Sequence, residues 1–103
     1  MERINLSNSL NISRVIYGMW RLSSDNNRSP DHIYRKINSC LDQGITTFDQ
    51  AAVYGGYSSE ALFGEVIQLN SSLREKIEIV SKCGIVNPSD RYPTASNSYY
   101  DTS

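Results

Sequence analysis

The chain has 103 residues, 39% of them hydrophobic and 20% charged, and its formal net charge is -1 at pH 7. This composition is typical of one domain of a water-soluble protein, or of part of one. A charge near zero, with no cluster of Lys and Arg, argues against nucleic acid and acidic lipid as partners.

Localisation and thiol chemistry are predicted from simple counts. No stretch approaches the roughly 18 consecutive apolar residues of a membrane span, and the residues after Met1 lack the apolar core of a signal peptide. We therefore expect a cytoplasmic protein without a membrane partner. Cys40 and Cys83 are too few for a disulfide scaffold, and no metal-ligand spacing joins them to the lone His32. Free thiols and no metal site are expected.

The first 20 residues predict a hairpin and then a strand. Residues 1–14 alternate apolar and polar side chains around the small polar residues 7–9, which favours a short β-hairpin. Residues 15–20 are a β-branched and aromatic run that contains a glycine and ends in a tryptophan. This pattern is typical of a buried strand that enters a loop, and it predicts the first core strand.

The strongest helix signal begins at Ser29. Its hydroxyl can cap the helix, Pro30 suits the first helical position, and Asp31 places an acid in the first turn. Gly44 stands where a left-handed C-terminal cap is favoured. A helix is therefore predicted between these residues. Its apolar stripe, at positions i, i+4, i+7 and i+8, consists of Ile33, Ile37, Cys40 and Leu41.

The pattern of strand and helix then repeats. Residues 45–48 predict a second strand, so a βαβ unit with parallel strands and a right-handed crossover is implied. The pair Gly55-Gly56 predicts a turn, Ser58 or Ser59 can cap a second helix, and residues 77–81 predict a third strand. The apolar residues of the second helix are Ala61, Leu62, Val66 and Leu69.

The chain after Gly84 predicts a polar loop, since residues 87–103 show no periodicity and no closing element. The fold class predicted for the whole chain is therefore α/β, with about three strands and two helices that alternate along the sequence.

Three candidate functional residues lie at the carboxyl ends of the predicted strands: Trp20, Asp49 and Lys82. Parallel α/β folds gather functional groups at these carboxyl ends. On adjacent strands, roughly 5 Å apart, Asp49 and Lys82 can form an ion pair, and the loop after Asp49 carries Tyr54 over them. A phenol, with a reference pKa of about 10, is a poor acid at neutral pH unless a cation stabilises its phenolate. These residues therefore suggest general acid chemistry.

Each candidate also has an ordinary structural role. Aspartates often cap turns, lysines often lie at the surface, and most of the seven tyrosines are expected to pack. The joint position of Asp49, Tyr54 and Lys82 at converging strand ends favours the functional interpretation. By contrast, Gly55-Gly56 lacks the GxGxxG pattern and predicts only a turn, and His32, beside a helix start, predicts a surface position.

Two segments resemble the aldo/keto reductase family. Residues 48–55 read Phe-Asp-x-Ala-x-x-Tyr-Gly, and residues 80–82 read Val-Ser-Lys one strand later. Residues 54–65 are similar to one bacterial subgroup of that family. The resemblance, from residue 15 to residue 84, implies a (β/α)8 TIM barrel. It also implies hydride transfer from NADPH, with NADH as an open alternative, to the carbonyl carbon of a small-molecule substrate.

The resemblance implies a role for each matching residue. Tyr54 is the proton donor, Lys82 is the cation that favours its phenolate, and Asp49 is the partner of the lysine and a neighbour of the nicotinamide ribose. No metal is needed, because the Tyr-Lys pair polarises the carbonyl through a charge-assisted hydrogen bond. The further residues implied to line the cofactor are Met19, Trp20 and Arg21.

The resemblance also indicates that the chain is a part of the family's domain. Because a (β/α)8 barrel takes about 250 residues, residues 1–103 are interpreted as the N-terminal fragment of a single aldo/keto reductase domain. The family's catalytic histidine on the next strand and its C-terminal cofactor-binding region have no counterpart here, and Ala52 stands where many relatives have an aspartate. We expect the isolated 103-residue chain to be inactive.

Two other interpretations are open. The uncovered sheet edge of a partial barrel invites another chain, so a non-catalytic interaction module is the first alternative. A small complete α/β ligand-binding domain is the second, but the polar tail supplies no closing helix for it. The sequence carries no signal for the oligomeric state.

Overall fold

The computed structural model describes residues 1–101, and its centre is a parallel sheet in which the strand of residues 47–49 lies between those of residues 16–18 and 78–80. The strands of this sheet are β3 (Ile16–Gly18), β4 (Thr47–Asp49) and β5 (Glu78–Val80). Helix α1 (Pro30–Asp42) lies between the first two strands in the chain, and helix α3 (Ser59–Leu69) lies between the second and third. The two predicted βαβ units are confirmed.

The predicted N-terminal hairpin is present. Its strands, β1 (Arg3–Ser7) and β2 (Leu10–Ser13), pair antiparallel. The hydroxyl of Ser13 accepts the backbone N–H groups of Thr46 and Thr47 at 3.1 Å each. The hairpin is therefore attached to the sheet where β4 begins, at the end opposite to the predicted site.

A carboxylate strengthens this attachment. Glu78, at the start of β5, accepts hydrogen bonds from Arg3 at 2.8 Å, Thr46 at 2.7 Å and Thr47 at 3.0 Å. Partial burial raises the pKa of Glu78, but these three hydrogen bonds together bring it below its ordinary value. The group stays ionised while it joins the hairpin to two strands.

Helix α1 forms as its sequence predicts. The hydroxyl of Ser29 accepts the N–H of His32 at 3.3 Å, and Gly44 has a φ of 79°, in the left-handed region. The stripe residues that face the core are Ile33, Ile37 and Cys40, and Leu41 is partly buried beside them.

Within residues 1–101, no helix has the length and apolar character needed to cross a membrane.

The loop before α1 is held by Asp25. Its carboxylate accepts a hydrogen bond from Lys36 and lies 3.2 Å from Nε2 of His32. The hydrogen bond from Lys36, followed by that from the backbone of Asn27, lowers the pKa of Asp25 to about 2. His32 is partly exposed, in keeping with its predicted surface position. Its contact with Asp25 helps to hold the loop to the helix.

Phe48 in β4 is fully buried at the centre of the core. Tyr17 and Ile79 stand beside it in register on the neighbouring strands, so all three side chains face the helices. The ring centroid of Phe63, on α3, lies 5.7 Å from that of Phe48. Burial of these groups against α1 and α3 provides the main apolar stabilisation of the fold.

Helix α3 contains the predicted apolar residues, but the set of residues that it buries in the core differs from the predicted one. Its positions that face the core are spaced i, i+4 and i+7 from its first residue, Ser59, and so the face includes Phe63. Leu69 lies off this face and is 65% exposed. The buried residues of the helix are Ser59, Phe63 and Val66.

The expected burial of the first core strand is wrong in part. The strand itself forms as β3, but Val15 is 48% exposed and Ile16 is 41% exposed. Since β3 is at the edge of the sheet in the described part of the chain, and Ile16 alternates with Tyr17, which packs against the core, the side chain of Ile16 points away from the helices. The face of the sheet opposite to the helices therefore remains partly open to solvent.

The expectation of a polar loop without a closing element after Gly84 is wrong in part, since residues 87–98 form a loop but two short strands pair at its ends. Strands β6 (Ile85–Val86) and β7 (Tyr99–Tyr100) pair antiparallel, and Val86 is buried. Two-residue strands separated by a long loop carry no detectable periodicity, which explains why the sequence does not reveal them. The last two positions of the predicted loop, 102 and 103, lie outside the described residues.

Candidate active site

The three strand ends meet at one edge of the sheet, as predicted. The backbone N–H of Met19 donates to the carbonyl of Asp49 at 3.0 Å, and the N–H of Ala52 donates to the carbonyl of Lys82 at 2.8 Å. The backbone hydrogen bonds between neighbouring strands thus continue past the carboxyl ends of these strands. It fixes the backbone of each candidate residue before its side chain makes any contact.

Asp49 and Lys82 form the predicted ion pair. The Nζ of Lys82 lies 2.6 Å from Oδ1 of Asp49 and donates a second hydrogen bond to the carbonyl of Gln50 at 2.8 Å. The hydrogen bond to Asp49 raises the pKa of Lys82 above its ordinary 10.5 and outweighs the effect of desolvation. Because both side chains are partly exposed, the pair adds little stability; it holds an ammonium group in place.

Tyr54 joins this pair from the loop after β4. Its ring centroid lies 5.4 Å from Nζ of Lys82, within the range of a cation–π contact. Its N–H donates to the carbonyl of Ala51 at 3.1 Å, and Ala51 is buried, so the start of the loop is anchored. The structure therefore brings all three predicted residues together.

The residues predicted to line the cofactor divide into two groups. The side chain of Met19 is 2% exposed and belongs to the core. Trp20 is 64% exposed, and the guanidinium of Arg21 lies 5.2 Å from its ring centroid. Of these three residues, Trp20 and Arg21 present their side chains to solvent at this edge, and Met19 anchors the loop that carries them.

A buried polar network below the site was not predicted. Gln50 is 1% exposed, and its amide donates to the sulfur of Met19 at 3.0 Å. The hydroxyl of Ser59, also buried, shares its single proton between two acceptors, Oε1 of Gln50 at 2.9 Å and the carbonyl of Met19 at 3.2 Å. The network joins the ends of β3 and β4 to the start of α3, and the carbonyl of Gln50 also receives Lys82.

The sequence contains a weak signal for these two residues. Gln50 is the first residue after the strand that ends in Asp49, and Ser59 takes the place of an apolar residue on the core-facing positions of α3. Buried polar groups need partners, so a polar residue at a core position predicts a hydrogen-bond network. Its partners become visible only in the folded chain.

We expect Ser59→Ala to lower the free energy of unfolding by about 1–3 kcal/mol, because it leaves Oε1 of the buried Gln50 without its donor. Urea unfolding of the chain, followed by far-ultraviolet circular dichroism, measures this change. Ser72→Ala, at an exposed position, is the matched control and should change the same quantity by less than about 0.5 kcal/mol. Equal losses in the two variants would contradict a structural role for the network.

The ammonium group of Lys82 also borders a hollow that is open to solvent. Its volume is about 290 Å³, and the hydroxyl of Ser81 donates to Oε2 of Glu60 at 2.7 Å on its wall. This hydrogen bond fixes the end of β5 to the start of α3. In the described part of the chain, no group of three or more His, Cys, Asp or Glu side chains is arranged to hold a metal. The hollow is lined by Ala52, Glu60, Ser81, Lys82 and Cys83.

Comparison with known proteins extends this description. The model of the aldo/keto reductase family matches residues 14–103. The chain is 53% identical over 102 residues to the 6-dehydroglucose reductase of Agrobacterium fabrum (strain C58), an alignment that covers 99% of this chain and 34% of that protein. It is 48% identical over 103 residues to the uncharacterized oxidoreductase YcsN of Bacillus subtilis (strain 168), covering 100% of this chain and 34% of that protein.

A solved structure shows the same fold. A Pseudomonas aeruginosa protein assigned to the aldo-keto reductases superposes with a TM-score of 0.75 at 24% identity, over 98% of this chain and 36% of that chain. The chain therefore has the fold of the first part of a TIM barrel, and it spans about a third of the length of the curated relatives that it matches. With the family model matched over nearly all of its residues, the chain belongs to the aldo/keto reductase family.

Proposed function

We propose that this chain supplies the proton-donor site of an NADPH-dependent reductase that converts a carbonyl group of a small molecule to an alcohol. The observation that carries the proposal is the position of the Lys82 ammonium, 2.6 Å from the carboxylate of Asp49 and 5.4 Å from the ring centroid of Tyr54. A phenol next to a fixed cation is suited to donate a proton to a developing alkoxide.

In this proposal each side chain has a distinct task. Tyr54 hydrogen-bonds the carbonyl oxygen and transfers its proton to it as the carbon is reduced. Lys82 stabilises the phenolate that remains, and Asp49 keeps the ammonium in place and charged. The raised pKa of Lys82 supports this division, because the lysine remains a cation throughout the neutral range.

The residues at this edge fit a nicotinamide cofactor. Trp20 offers an exposed indole face, Arg21 offers a cationic group beside it, and Asp49 offers a carboxylate that can accept a hydrogen bond from a ribose hydroxyl. When bound, the cofactor supplies the hydride. The chain's own contribution is to hold the ring of the cofactor with Trp20 and Arg21 and to present the proton of Tyr54. NADPH is proposed, and NADH is tested beside it.

A chimeric protein tests the proposal. Residues 1–103 replace the matching third of the Agrobacterium 6-dehydroglucose reductase, and the rest of the relative completes the barrel; we call this protein the chimeric reductase. Its assay follows NADPH oxidation with 6-dehydroglucose, chosen because that relative is named for it, and with other small aldehydes. Carbonyl-dependent turnover supports the proposal. A folded chimeric reductase that binds NADPH but reduces no carbonyl contradicts it.

The isolated 103-residue chain is expected to show no carbonyl-dependent NADPH oxidation above the background of buffer. It spans only 34% of the relative's length, and we propose that the remainder provides the cofactor phosphate site and a further catalytic histidine. The measurement compares equal molar amounts of the isolated chain and the chimeric reductase, each verified by mass. Turnover by the isolated chain that is lost in Tyr54→Phe would contradict this expectation.

An interaction module is the second candidate, and the open face of the sheet favours it. Ile16 and Val80 are 41% and 37% exposed there, and the edges of β3 and β5 are unpaired within residues 1–101. Such a face invites another chain. Size-exclusion chromatography of the pure chain separates the candidates, since a cooperative monomer or a defined complex favours the module and aggregation favours a part of a reductase.

A further inference from the structure

Tyr57 has an unusual backbone conformation. In the short helical segment α2 (Tyr54–Tyr57), Gly55 and Gly56 both have a φ of 62°, and Tyr57 follows with a φ of 72°. Among the described residues, Tyr57 alone combines a positive φ with a side chain. Residues other than glycine occupy this region at a cost, and they persist there where surrounding contacts determine them.

The hydroxyl of Tyr57 makes two contacts with the backbone after β5. It donates to the carbonyl of Ile85 at 3.0 Å and accepts the N–H of Asn87 at 2.8 Å. A phenol has one proton to donate. Tyr57 uses this proton and an oxygen lone pair for hydrogen bonds to the same segment of the chain. The left-handed backbone is what turns the side chain toward that segment.

The ring of Tyr57 also contacts side chains of this segment. Its centroid lies 5.4 Å from that of Tyr92 at an interplanar angle of 61°, an edge-to-face arrangement. The guanidinium of Arg91 lies 5.2 Å from the same ring. The segment of residues 85–92 thus contacts Tyr57 at two separate points, its backbone and its side chains.

The preceding glycines make this arrangement possible. A Cβ on Gly55 would lie 2.4 Å from Oγ of Ser23, in addition to the strain of its positive φ. Ser58 fills the predicted N-cap position of α3, but its hydroxyl donates to the carbonyl of Gly55 at 2.6 Å instead of capping the helix. The turn is therefore fixed on both sides of Tyr57.

The contacts of Tyr57 lie close, along the chain, to the residues of the candidate active site. Tyr57 is three residues after Tyr54, and Ile85 is three residues after Lys82. We propose that Tyr57 is a positioning residue, which ties the loop of the proton donor to the loop of the cation and thereby sets the separation of Tyr54 and Lys82. This inference rests on the proposed function of these two residues.

The test replaces Tyr57 by Phe in the chimeric reductase. Phe keeps the ring contacts and removes both hydrogen bonds, so we expect kcat to fall about tenfold while KM changes less than about twofold. Tyr92→Phe is the matched control, because the hydroxyl of Tyr92 has no hydrogen-bond partner within residues 1–101. It is expected to keep the wild-type kcat.

Tyr57→Gly separates the side chain from the backbone. Glycine adopts the left-handed conformation without strain, so a purely conformational role for position 57 predicts wild-type kcat in this variant. The proposal predicts a loss at least as large as that of Tyr57→Phe. Wild-type kcat in either variant, with the fold confirmed by circular dichroism, overturns it.

Limited trypsin digestion gives a readout that is independent of catalysis. Cleavage after Arg91, identified by mass, is expected to be several-fold faster in Tyr57→Phe than in wild type and unchanged in Tyr92→Phe. If the wild-type chimeric reductase folds and binds NADPH but shows no activity, the proposed function fails, and cleavage alone decides whether Tyr57 holds the segment. Equal cleavage rates in wild type and Tyr57→Phe would then overturn the inference as well.

Discussion

Replacing Tyr54 by Phe in the chimeric reductase is expected to lower kcat by about 100- to 10,000-fold, the range over which a positioned general acid contributes. The variant keeps the ring beside Lys82 and loses only the proton that the alkoxide needs. NADPH affinity, measured by fluorescence titration, is expected to stay within about twofold of wild type, since the hydroxyl acts on the reacting carbonyl.

Tyr34→Phe is the matched control for this variant. Tyr34 lies on α1 and packs against the core, and its hydroxyl makes no hydrogen bond within the described residues. Its kcat is expected to equal that of wild type. A Tyr54→Phe variant that retained more than about a tenth of the wild-type kcat would show that another group donates the proton.

The second large effect is expected at Lys82. Lys82→Met removes the ammonium and leaves the carboxylate of Asp49 without its partner, so we expect kcat to fall by about 100-fold or more. Initial rates of the chimeric reductase at pH 7 measure the change. Lys76→Met, at an exposed position of the 3-10 helix Ser71–Lys76, is the control and should leave kcat unchanged.

The pH dependence of the ion pair has a definite sign. The pKa of Lys82 is raised in the folded chain, chiefly by its hydrogen bond to Asp49, so the stability that this raised pKa contributes is fully present below pH 10.5. It is lost as the pH rises through the raised value. Lys82 therefore remains charged under all neutral assay conditions, and a lysine role in the neutral range is that of a fixed cation.

Much of the fold could be predicted because its signals are local. Helix α1 has a cap at Ser29, a proline at its first position and a stripe of regular spacing, and all three features lie within one segment. The ends of parallel strands share one edge, so the meeting of Asp49 and Lys82 followed from the order of the elements alone.

The remaining features depend on contacts between distant segments. The partners of Gln50 lie on other elements, and the pairing of β6 with β7 spans a long loop, so neither leaves a periodic pattern. The family resemblance places Met19 at the cofactor, whereas packing against the core decides where its side chain points. The left-handed conformation of Tyr57 also depends on contacts with residues 85–92.

The most direct test of the central proposal is the stoichiometry of the reaction in the chimeric reductase. With NADPH and an aldehyde substrate, we predict that one mole of alcohol forms for each mole of NADPH oxidised. We also predict that the Tyr54→Phe variant forms both alcohol and oxidised cofactor far more slowly than the wild-type chimeric reductase. Full alcohol formation by the Tyr54→Phe variant, or NADPH oxidation by the wild-type chimeric reductase without alcohol, would contradict the assignment of Tyr54, Lys82 and Asp49 as the proton-donor site.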